Sequence, residues 1–373
     1  MIYLDYNAST PVDPRVLEAM MPYFTEIHGN PSSAHAIGRR VRQGVEDARG
    51  QVADMIGAKS SEIVFTSGGT ESSNHVIRGV AHGRADRGKH IVTSAIEHPA
   101  TLQPCTYLEE NGYEVTYVGV DATGMIDPDE VARAVRADTI LISIMHANNE
   151  VGTIQPIAEI AKMAREQGIA MHSDAAQTCG KIRVHVDELG VDFLSIAGHK
   201  LYAPQGIGAL YIRDGTELES FHLGAGHERG RRAGTEAVQA IVGLGAAATL
   251  AGEEVNGNAV RSCRDSLCAG LEAELGDQAV VLGHPETRLP NTLAMGFRGR
   301  IGADVLATCP EVAASTGAAC HAAQRKRSAV LAAMNVPEDV AFGAVRFSVG
   351  RFTSQDEIDR AVPLIVRAVR EES

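Results

Sequence analysis

The sequence predicts an α/β protein with a large domain built on a mostly parallel β-sheet and a smaller α+β domain. Up to residue 250, short β-rich runs alternate with helical patterns, which is typical of a parallel sheet covered by helices on both faces. After residue 250, helical patterns dominate and a segment rich in Gly and Pro follows. The length of 373 residues accommodates two domains of this kind.

Six runs rich in β-branched and apolar residues are predicted strands: 63–65, 90–93, 115–118, 139–143, 193–196 and 208–212. Helices are predicted between them over 41–55, 129–135 and 157–167, the last because its apolar residues recur at 3.6-residue spacing. Further helices are predicted over 254–275 and 354–370, with a strand over 344–349 between them. We expect the large domain to span 15–253 and the small domain to combine 1–14 with 254–373.

Composition excludes several classes of protein. The chain has 34 Lys and Arg against 47 Asp and Glu, a formal net charge of −13, so a DNA-binding surface is not expected. No apolar stretch approaches the roughly 20 residues that cross a bilayer, and no signal peptide opens the sequence, so we expect a cytoplasmic protein. The six cysteines are scattered without a C-x-x-C pair, which favours neither disulfides nor a metal site.

Three polar motifs follow predicted strands or apolar runs. Gly68, Gly69 and Thr70 form a glycine-rich turn that could expose N–H groups to an anion at a helix N-terminus. Asp174 follows an apolar run, where it could also be a helix cap. Lys200 follows the strand over 193–196, where it could be a surface residue or could form a Schiff base with an aldehyde. Each motif alone is weak evidence.

Together the three motifs match what pyridoxal phosphate needs. A glycine turn can hold the phosphate, an aspartate can keep the pyridine nitrogen protonated, and a lysine can bind the aldehyde. His98, which follows the predicted strand over 90–93, could stack on the ring or could be purely structural. The sequence therefore predicts a pyridoxal-phosphate enzyme.

The chain resembles the cysteine desulfurase and selenocysteine lyase family, which are fold-type I pyridoxal-phosphate enzymes of the class V aminotransferase group. This resemblance implies a seven-stranded, mostly parallel sheet in the large domain. The matching segments cover almost the whole chain: 4–11, 29–33, 66–74, 97–98, 147–150, 174–177, 198–200, 228–232, 234–236, 289–291, 315–320 and 346–351.

The resemblance implies roles around the cofactor ring. Lys200 would form the Schiff base and Asp174 would bind the pyridine nitrogen. Gln177 would donate a hydrogen bond to the phenolic oxygen. His98 would stack on the ring and carry protons.

The resemblance also implies phosphate and substrate contacts. Phosphate contacts are expected from Gly69, Thr70 and His199, and from Thr235 of the second subunit of a homodimer. Arg346 is expected to clamp the substrate α-carboxylate, a task suited to a planar bidentate donor. The other residues expected near the substrate are Asn7 and Asn149, the second of which would also lie close to the cofactor.

Cys320 is the predicted nucleophile. It lies among small residues and is followed by a polar, basic sequence, which favours an accessible loop and a thiolate over the burial common for free cysteines. In the family this cysteine attacks the substrate sulfur and becomes a persulfide while alanine is released. The sulfur then passes to an acceptor protein, such as an iron–sulfur scaffold or a sulfurtransferase. The other five cysteines are assigned to packing.

Alternative functions stay open at this point. The Gly-Ala-Ala-Cys-His sequence ending at His321 is nearer to selenocysteine lyases, whereas Pro99 stands where animal lyases carry an acidic residue. We favour L-cysteine over L-selenocysteine as the substrate. A class V transaminase or a β-eliminating lyase would have no use for Cys320. Ala197 stands where many desulfurases have a serine that contacts the phosphate, so one phosphate donor is missing.

Overall fold

The computed structural model describes residues 1–254, 258–316 and 327–371, without the side chains of residues 253 and 254. Within these residues the strands are β1 (Ile2–Tyr3), β2 (Ile63–Thr66), β3 (His90–Ser94), β4 (Glu114–Val118), β5 (Thr139–Ser143), β6 (Ala170–Asp174), β7 (Phe193–Ala197), β8 (Gly208–Ile212), β9 (Ala279–Leu282), β10 (Thr292–Phe297), β11 (Val312–Ala313) and β12 (Ala344–Ser348). The α-helices are α1 (Pro14–Met20), α2 (Pro22–Thr25), α3 (Ala36–Ile56), α4 (Gly69–Gly83), α5 (Pro99–Glu110), α6 (Pro128–Ala134), α7 (Ile157–Glu166), α8 (Val186–Leu189), α9 (Val238–Glu254), α10 (Asn258–Leu275), α11 (Gly302–Thr308), α12 (Ala329–Ala333), α13 (Glu338–Ala341) and α14 (Gln355–Glu371).

The large sheet of the described chain has seven strands in the order β2-β8-β7-β6-β5-β3-β4. Strands β3 to β7 run parallel to one another, and β8 runs antiparallel to both of its neighbours, β2 and β7. Six strands therefore point the same way. The prediction of an α/β fold with a mostly parallel sheet is confirmed, and all six predicted strands are present.

The central strand β6 was not predicted. Its sequence carries His172 and Ser173, which interrupt the apolar pattern, yet both are fully buried. Neighbouring strands satisfy them, since the His172 ring nitrogens lie 2.8 Å and 2.9 Å from the hydroxyls of Ser143 and Ser195. Buried polar groups with partners cost little, so a polar strand can occupy the middle of the sheet.

Helices cover both faces of this sheet. In β2, Ile63 and Phe65 pack against α3 and α9, whereas Val64 packs in the cluster formed with α4 and α5. Successive side chains of a strand point to opposite faces, so this division places apolar layers on both sides.

The C-terminal part has its own core. Strands β12, β10 and β9 form an antiparallel sheet, and β1 pairs in parallel with β11. Ile2 and Leu4 pack in one apolar cluster with α10 and α14, so the N-terminus belongs structurally with the C-terminal residues. These contacts support the domain boundaries at 15 and 254, which stay a prediction. The helix predicted from residue 254 begins at Asn258 instead, because residues up to 254 extend α9.

A buried ion pair ties α3 to the turn at residue 228. The Arg49 guanidinium donates to both carboxylate oxygens of Glu228, at 2.7 Å and 2.9 Å, and both side chains are at most 4% exposed. Glu228 also accepts the Phe65 N–H at 2.8 Å. Its own φ is +47°, a strained value for a residue with a side chain. The pair therefore holds an unfavourable backbone turn against β2.

None of the described helices is both long enough and apolar enough to span a membrane.

Candidate active site

The predicted site residues gather at one edge of the large sheet. Asp174 is the last residue of β6, and Lys200 follows β7 in a single helical turn. Gly68 and Gly69 follow β2, and His98 follows β3 at the start of α5. These four strands run in the same direction, so their carboxyl ends share an edge, where ligands bind in such sheets.

Asp174 is a buried carboxylate with one oxygen free. Its Oδ1 accepts the Ala176 N–H at 2.9 Å, and no described residue donates to Oδ2. Burial raises the pKa of Asp174, while the positive charge of Lys200 and a protonated His98 act in the opposite direction. A cationic N–H placed at Oδ2 would relieve this burial cost. The carboxylate therefore fits a protonated pyridine nitrogen.

Lys200 presents an amine whose proton is easily lost. Its Nζ donates to the backbone carbonyls of Asn7 at 2.5 Å and Ala8 at 2.8 Å. Burial and the charge of Arg346 lower the pKa of Lys200 to about 8. A free amine is the form that attacks an aldehyde, so this position suits a lysine that binds a carbonyl cofactor.

His98 and His199 contribute neutral rings. His98 caps α5, since its Nδ1 accepts the Ala100 N–H at 3.1 Å, and burial lowers its pKa. Burial together with Lys200 lowers the pKa of His199 to about 4. The charge of Lys200 lowers the pKa of His98 further, whereas the charge of Asp174 acts to raise it. Stacking of His98 on a ring stays a prediction.

The glycine turn lies against the other site residues. Gly68 has a φ of +147°, which favours glycine, and α4 begins at Gly69. A Cβ at Gly69 would lie 3.4 Å from the Cβ of Ala197 and 4.0 Å from that of Ala176. The first N–H groups of a helix have no partner within the helix and attract anions. Thr70 is exposed beside them, and Ala197 brings only a methyl group.

Asn7 connects the N-terminal segment to the site. It is 1% exposed, and its backbone carbonyl accepts from both Lys200 and the Gln177 amide. Its side chain is fully engaged: Oδ1 accepts from Lys181 and Asn291, and Nδ2 donates to the hydroxyl of Thr292 and the carbonyl of Asn149. In this structure Asn7 positions other residues, and its contact with substrate stays a prediction.

Arg346 lies on β12, and its guanidinium has N–H groups that donate to no described residue. Its guanidinium donates to the Asn149 carbonyl at 3.0 Å and to the Asp5 carboxylate at 2.8 Å. Its buried Nε has no described partner. The arginine is 5% exposed and held by Asp5, so it is oriented before any ligand arrives. Such a guanidinium suits a substrate carboxylate.

Thr235 is exposed, and no described residue hydrogen-bonds its side chain. The segment before it is tied to the glycine turn, because Arg232 pairs with Glu71 at 2.9 Å and Glu71 accepts the Ser67 N–H. The contribution of Thr235 from a second subunit stays a prediction.

Cys320, the predicted nucleophile, lies outside the described residues.

The remaining described cysteines fit their assignment to packing. Four of them are buried and Cys268 is half-buried. Burial raises the pKa of Cys105 and Cys179 to about 12, so neither is a ready thiolate.

Three further residues of the site were not predicted from the sequence: Asp5, Glu97 and Lys181. Asp5 and Glu97 lie in recognised segments, but their partners Arg346 and Met145 are distant in sequence. Lys181 lies four residues after Gln177 and donates to its side chain. This spacing would have predicted the contact only if the turns between the two residues had been predicted as well. The signal was weak because this stretch is not a regular helix.

Glu97 is a buried carboxyl group near the site whose ionisation makes the stability of the protein depend on pH. Its Oε1 accepts from Ser94 at 2.6 Å and from the Met145 N–H at 2.9 Å, while its buried Oε2 has no described partner. Burial raises the pKa of Glu97 from 4.5 to about 8. The folded protein therefore holds a proton here that the unfolded chain has lost at neutral pH.

We expect Glu97 to make stability fall as the pH rises between 4.5 and about 8. The native state binds the extra proton in this window, so the slope is about 1.4 kcal/mol per pH unit. Glu97→Gln cannot ionise and should flatten this part of the profile. Thermal unfolding of both proteins across this pH range measures the difference, and parallel profiles would contradict the prediction.

Comparison with known proteins agrees with the site. The model of the family "Aminotransferase class-V" matches residues 2–361, so the chain belongs to this family, whose members depend on pyridoxal phosphate. Similar proteins named "Cysteine desulfurase IscS" include one from Dictyoglomus turgidum, 47% identical, which covers 99% of this chain and 94% of the relative. Another, from Anaeromyxobacter dehalogenans, is 48% identical over 99% and 92%. Within the class-V group, the chain belongs to the cysteine desulfurase family.

Solved structures agree on the fold. A NifS-like protein superposes with a TM-score of 0.93 at 37% identity and covers 99% of both chains. A structure described as "SspA in complex with cysteine" has a TM-score of 0.85 at 37% identity and covers 95% of this chain and all of the other. The resemblance and the fold-type I architecture inferred from the sequence are confirmed.

Proposed function

We propose that this protein is a pyridoxal-phosphate-dependent cysteine desulfurase. In the net reaction, L-cysteine and the Cys320 thiol give L-alanine and a Cys320 persulfide, whose sulfur passes to an acceptor protein. The observation that carries this proposal is the buried Asp174 carboxylate, whose Oδ2 accepts from no described residue, at the same sheet edge as the Lys200 amine with its lowered pKa. Hydrogen bonds through Asn7 and Asn149 connect Lys200 to Arg346. Relatives named cysteine desulfurase support the assignment.

The residues present fit the cofactor. The N-terminus of α4 at Gly69 and Thr70 would hold the phosphate, Asp174 the ring nitrogen and Lys200 the aldehyde carbon. When bound there, pyridoxal phosphate supplies an electron-accepting ring that makes the substrate Cα proton acidic. Ala197 supplies no hydroxyl, so the phosphate would depend more on the backbone N–H groups and His199.

Lys200 would move the proton at the substrate Cα. Its lowered pKa keeps part of the amine unprotonated at neutral pH, which a general base requires. The neutral ring of His98 is the second candidate for proton transfer. Arg346 would hold the substrate carboxylate, and the Asp5 and Asn149 contacts fix its plane before binding.

Cys320 would take the sulfur. Its thiolate would attack the substrate Sγ, an S–S bond would form and the C–S bond would break, with the electron pair and a proton going to Cβ. Described residues on both sides of 317–326 lie close to the site: Ser315 pairs with Arg346, and Ser328 donates to Glu150, next to Asn149.

The test is mass spectrometry of Cys320 after incubation with L-cysteine. A mass gain of one sulfur atom at Cys320, with L-alanine released, is expected in the wild-type enzyme and not in Lys200→Ala. Cys320→Ser should form no persulfide. An unmodified Cys320 in an enzyme that still releases alanine would refute the proposed nucleophile.

The choice of substrate is tested by assaying sulfide and selenide release with L-cysteine and L-selenocysteine. The solved relative in complex with cysteine supports L-cysteine. A Cys320→Ala variant that loses only cysteine activity would favour a selenocysteine lyase. Unchanged turnover of cysteine by Cys320→Ser would favour a transaminase or β-eliminating lyase.

We further propose that the enzyme works as a cytoplasmic homodimer with Thr235 completing the phosphate site of the partner. The exposed Thr235 side chain, on a segment anchored by the buried Arg49–Glu228 pair, supports this role. The sulfur acceptor would be an iron–sulfur scaffold or a sulfurtransferase.

A further inference from the structure

Lys181 places a second lysine amine at the candidate active site. Its half-buried side chain donates to the Gln177 Oε1 at 2.6 Å and to the Asn7 Oδ1 at 2.8 Å. The proposed mechanism does not use this amine. Asn7 accepts a hydrogen bond from Lys200, and Gln177 donates to the same Asn7 carbonyl. Lys181 is therefore connected to Lys200 through one intervening residue.

The Lys181 contact determines which way the Gln177 carboxamide faces. An amine in either protonation state has at least two hydrogens to donate, and here two oxygens face it. At the other end, the Gln177 Nε2 donates to the Asn7 carbonyl at 3.1 Å. A flipped carboxamide would set two oxygens against each other there, so both ends of the group favour the same orientation.

This orientation matters because Gln177 and Lys200 share an acceptor. The Gln177 Nε2 and the Lys200 Nζ both donate to the Asn7 carbonyl, so the amide N–H groups lie beside the lysine that would bind the cofactor. Nε2 has a second hydrogen, which is free to donate to an oxygen next to that lysine.

The surroundings of Lys181 are cationic. Burial lowers the pKa of Lys181 well below its ordinary value, and the charges of Lys200 and Arg346 act in the same direction. The group is held in place by its two oxygen acceptors rather than by a carboxylate. These two hydrogen bonds therefore set where the Lys181 amine lies.

We propose that Lys181 is a positioning residue: it holds the Gln177 carboxamide so that Nε2, and not Oε1, faces the phenolic oxygen of the bound cofactor. The inference rests on the cofactor site of the proposed function but not on the substrate. A hydrogen-bond donor at the phenolic oxygen stabilises the deprotonated form of the bound cofactor. The donor therefore lowers the pKa of the cofactor.

The experiment is a spectrophotometric pH titration of the cofactor-loaded protein without substrate. We expect Lys181→Met to move the midpoint of the visible absorption change upward by about one pH unit or more, since a hydrogen bond to an ionised group has this order of effect. Lys181→Arg keeps N–H donors and should show less than half of that shift. Lys162→Met, on the exposed face of α7, is the control and should show none.

The role of Gln177 is tested by a double-mutant cycle. In a Gln177→Leu background, Lys181→Met should add no further shift, because nothing remains to be positioned. The same shift in both backgrounds would overturn the proposal, since Lys181 would then act through charge alone. An unshifted midpoint in folded Lys181→Met would also overturn it, and Lys181→Leu replaces that variant if it does not fold. A wild-type protein without any cofactor absorption would instead refute the proposed function.

Discussion

The Lys200→Ala variant is expected to lose about 10³-fold or more in kcat/KM for L-cysteine, because one side chain both binds the cofactor and moves the Cα proton. The structure provides the reason: the Lys200 Nζ lies at the same sheet edge as Asp174, donates to the Asn7 and Ala8 carbonyls, and has a pKa lowered to about 8 by burial and the charge of Arg346. Alanine production by purified enzyme, measured at saturating cofactor, checks the expectation.

Two controls accompany this measurement. Lys162→Ala removes an exposed lysine on α7 and should keep full activity. Borohydride reduction of the cofactor-loaded protein, followed by peptide mapping, should label Lys200 in the wild type. Labelling of Lys181 instead, or activity of Lys200→Ala within tenfold of the wild type, would show that the wrong lysine has been assigned.

The Arg49→Ala variant is expected to be less stable than the wild type by about 3–5 kcal/mol, because removing one member of a buried pair leaves the other charge unpaired. Glu228 would remain buried with only the Phe65 N–H at its carboxylate, on a turn that is already strained. Urea-induced unfolding, followed by circular dichroism, measures the loss.

The matched control is Arg183→Ala, which removes an exposed arginine paired with Glu188. Exposed pairs contribute only about 0–1 kcal/mol, so this variant should unfold almost like the wild type. The double variant Arg49→Met/Glu228→Leu should cost less than Arg49→Ala, because no charge is left without a partner. Equal stability of Arg49→Ala and Arg183→Ala would contradict the prediction.

Much of the fold could be predicted from local pattern. Strands β5 and β8 were predicted with their observed bounds, and the closing helix α14 begins one residue later than predicted. Strand β6 was missed because its polar residues look unfavourable for a buried strand until their partners on β5 and β7 are known. The start of α10 was misplaced because the helical patterns of α9 and α10 follow one another closely in the sequence.

For the candidate site too, local features could be predicted from the sequence and long-range contacts could not. Asp174, Lys200 and the glycine turn were predicted because each follows an apolar run closely, and the sheet brings them together. Contacts between distant parts of the chain could not be predicted. The Asp5 carboxylate meets Arg346 across 341 positions, and the Asn7 Oδ1 meets Lys181 across 174.

By itself, the sequence determined the α/β class, the family and the chemical groups available to the site, because strand periodicity, turn glycines and motif spacing are local properties of the chain. Only the tertiary structure decided how those groups are held. Ile2 and Leu4 of the N-terminal segment pack in the C-terminal core, while its buried Asn7 and its Asp5 bind lysines and an arginine from three other segments. Such contacts depend on burial and on which polar atoms lack water, and no local pattern in the chain encodes either.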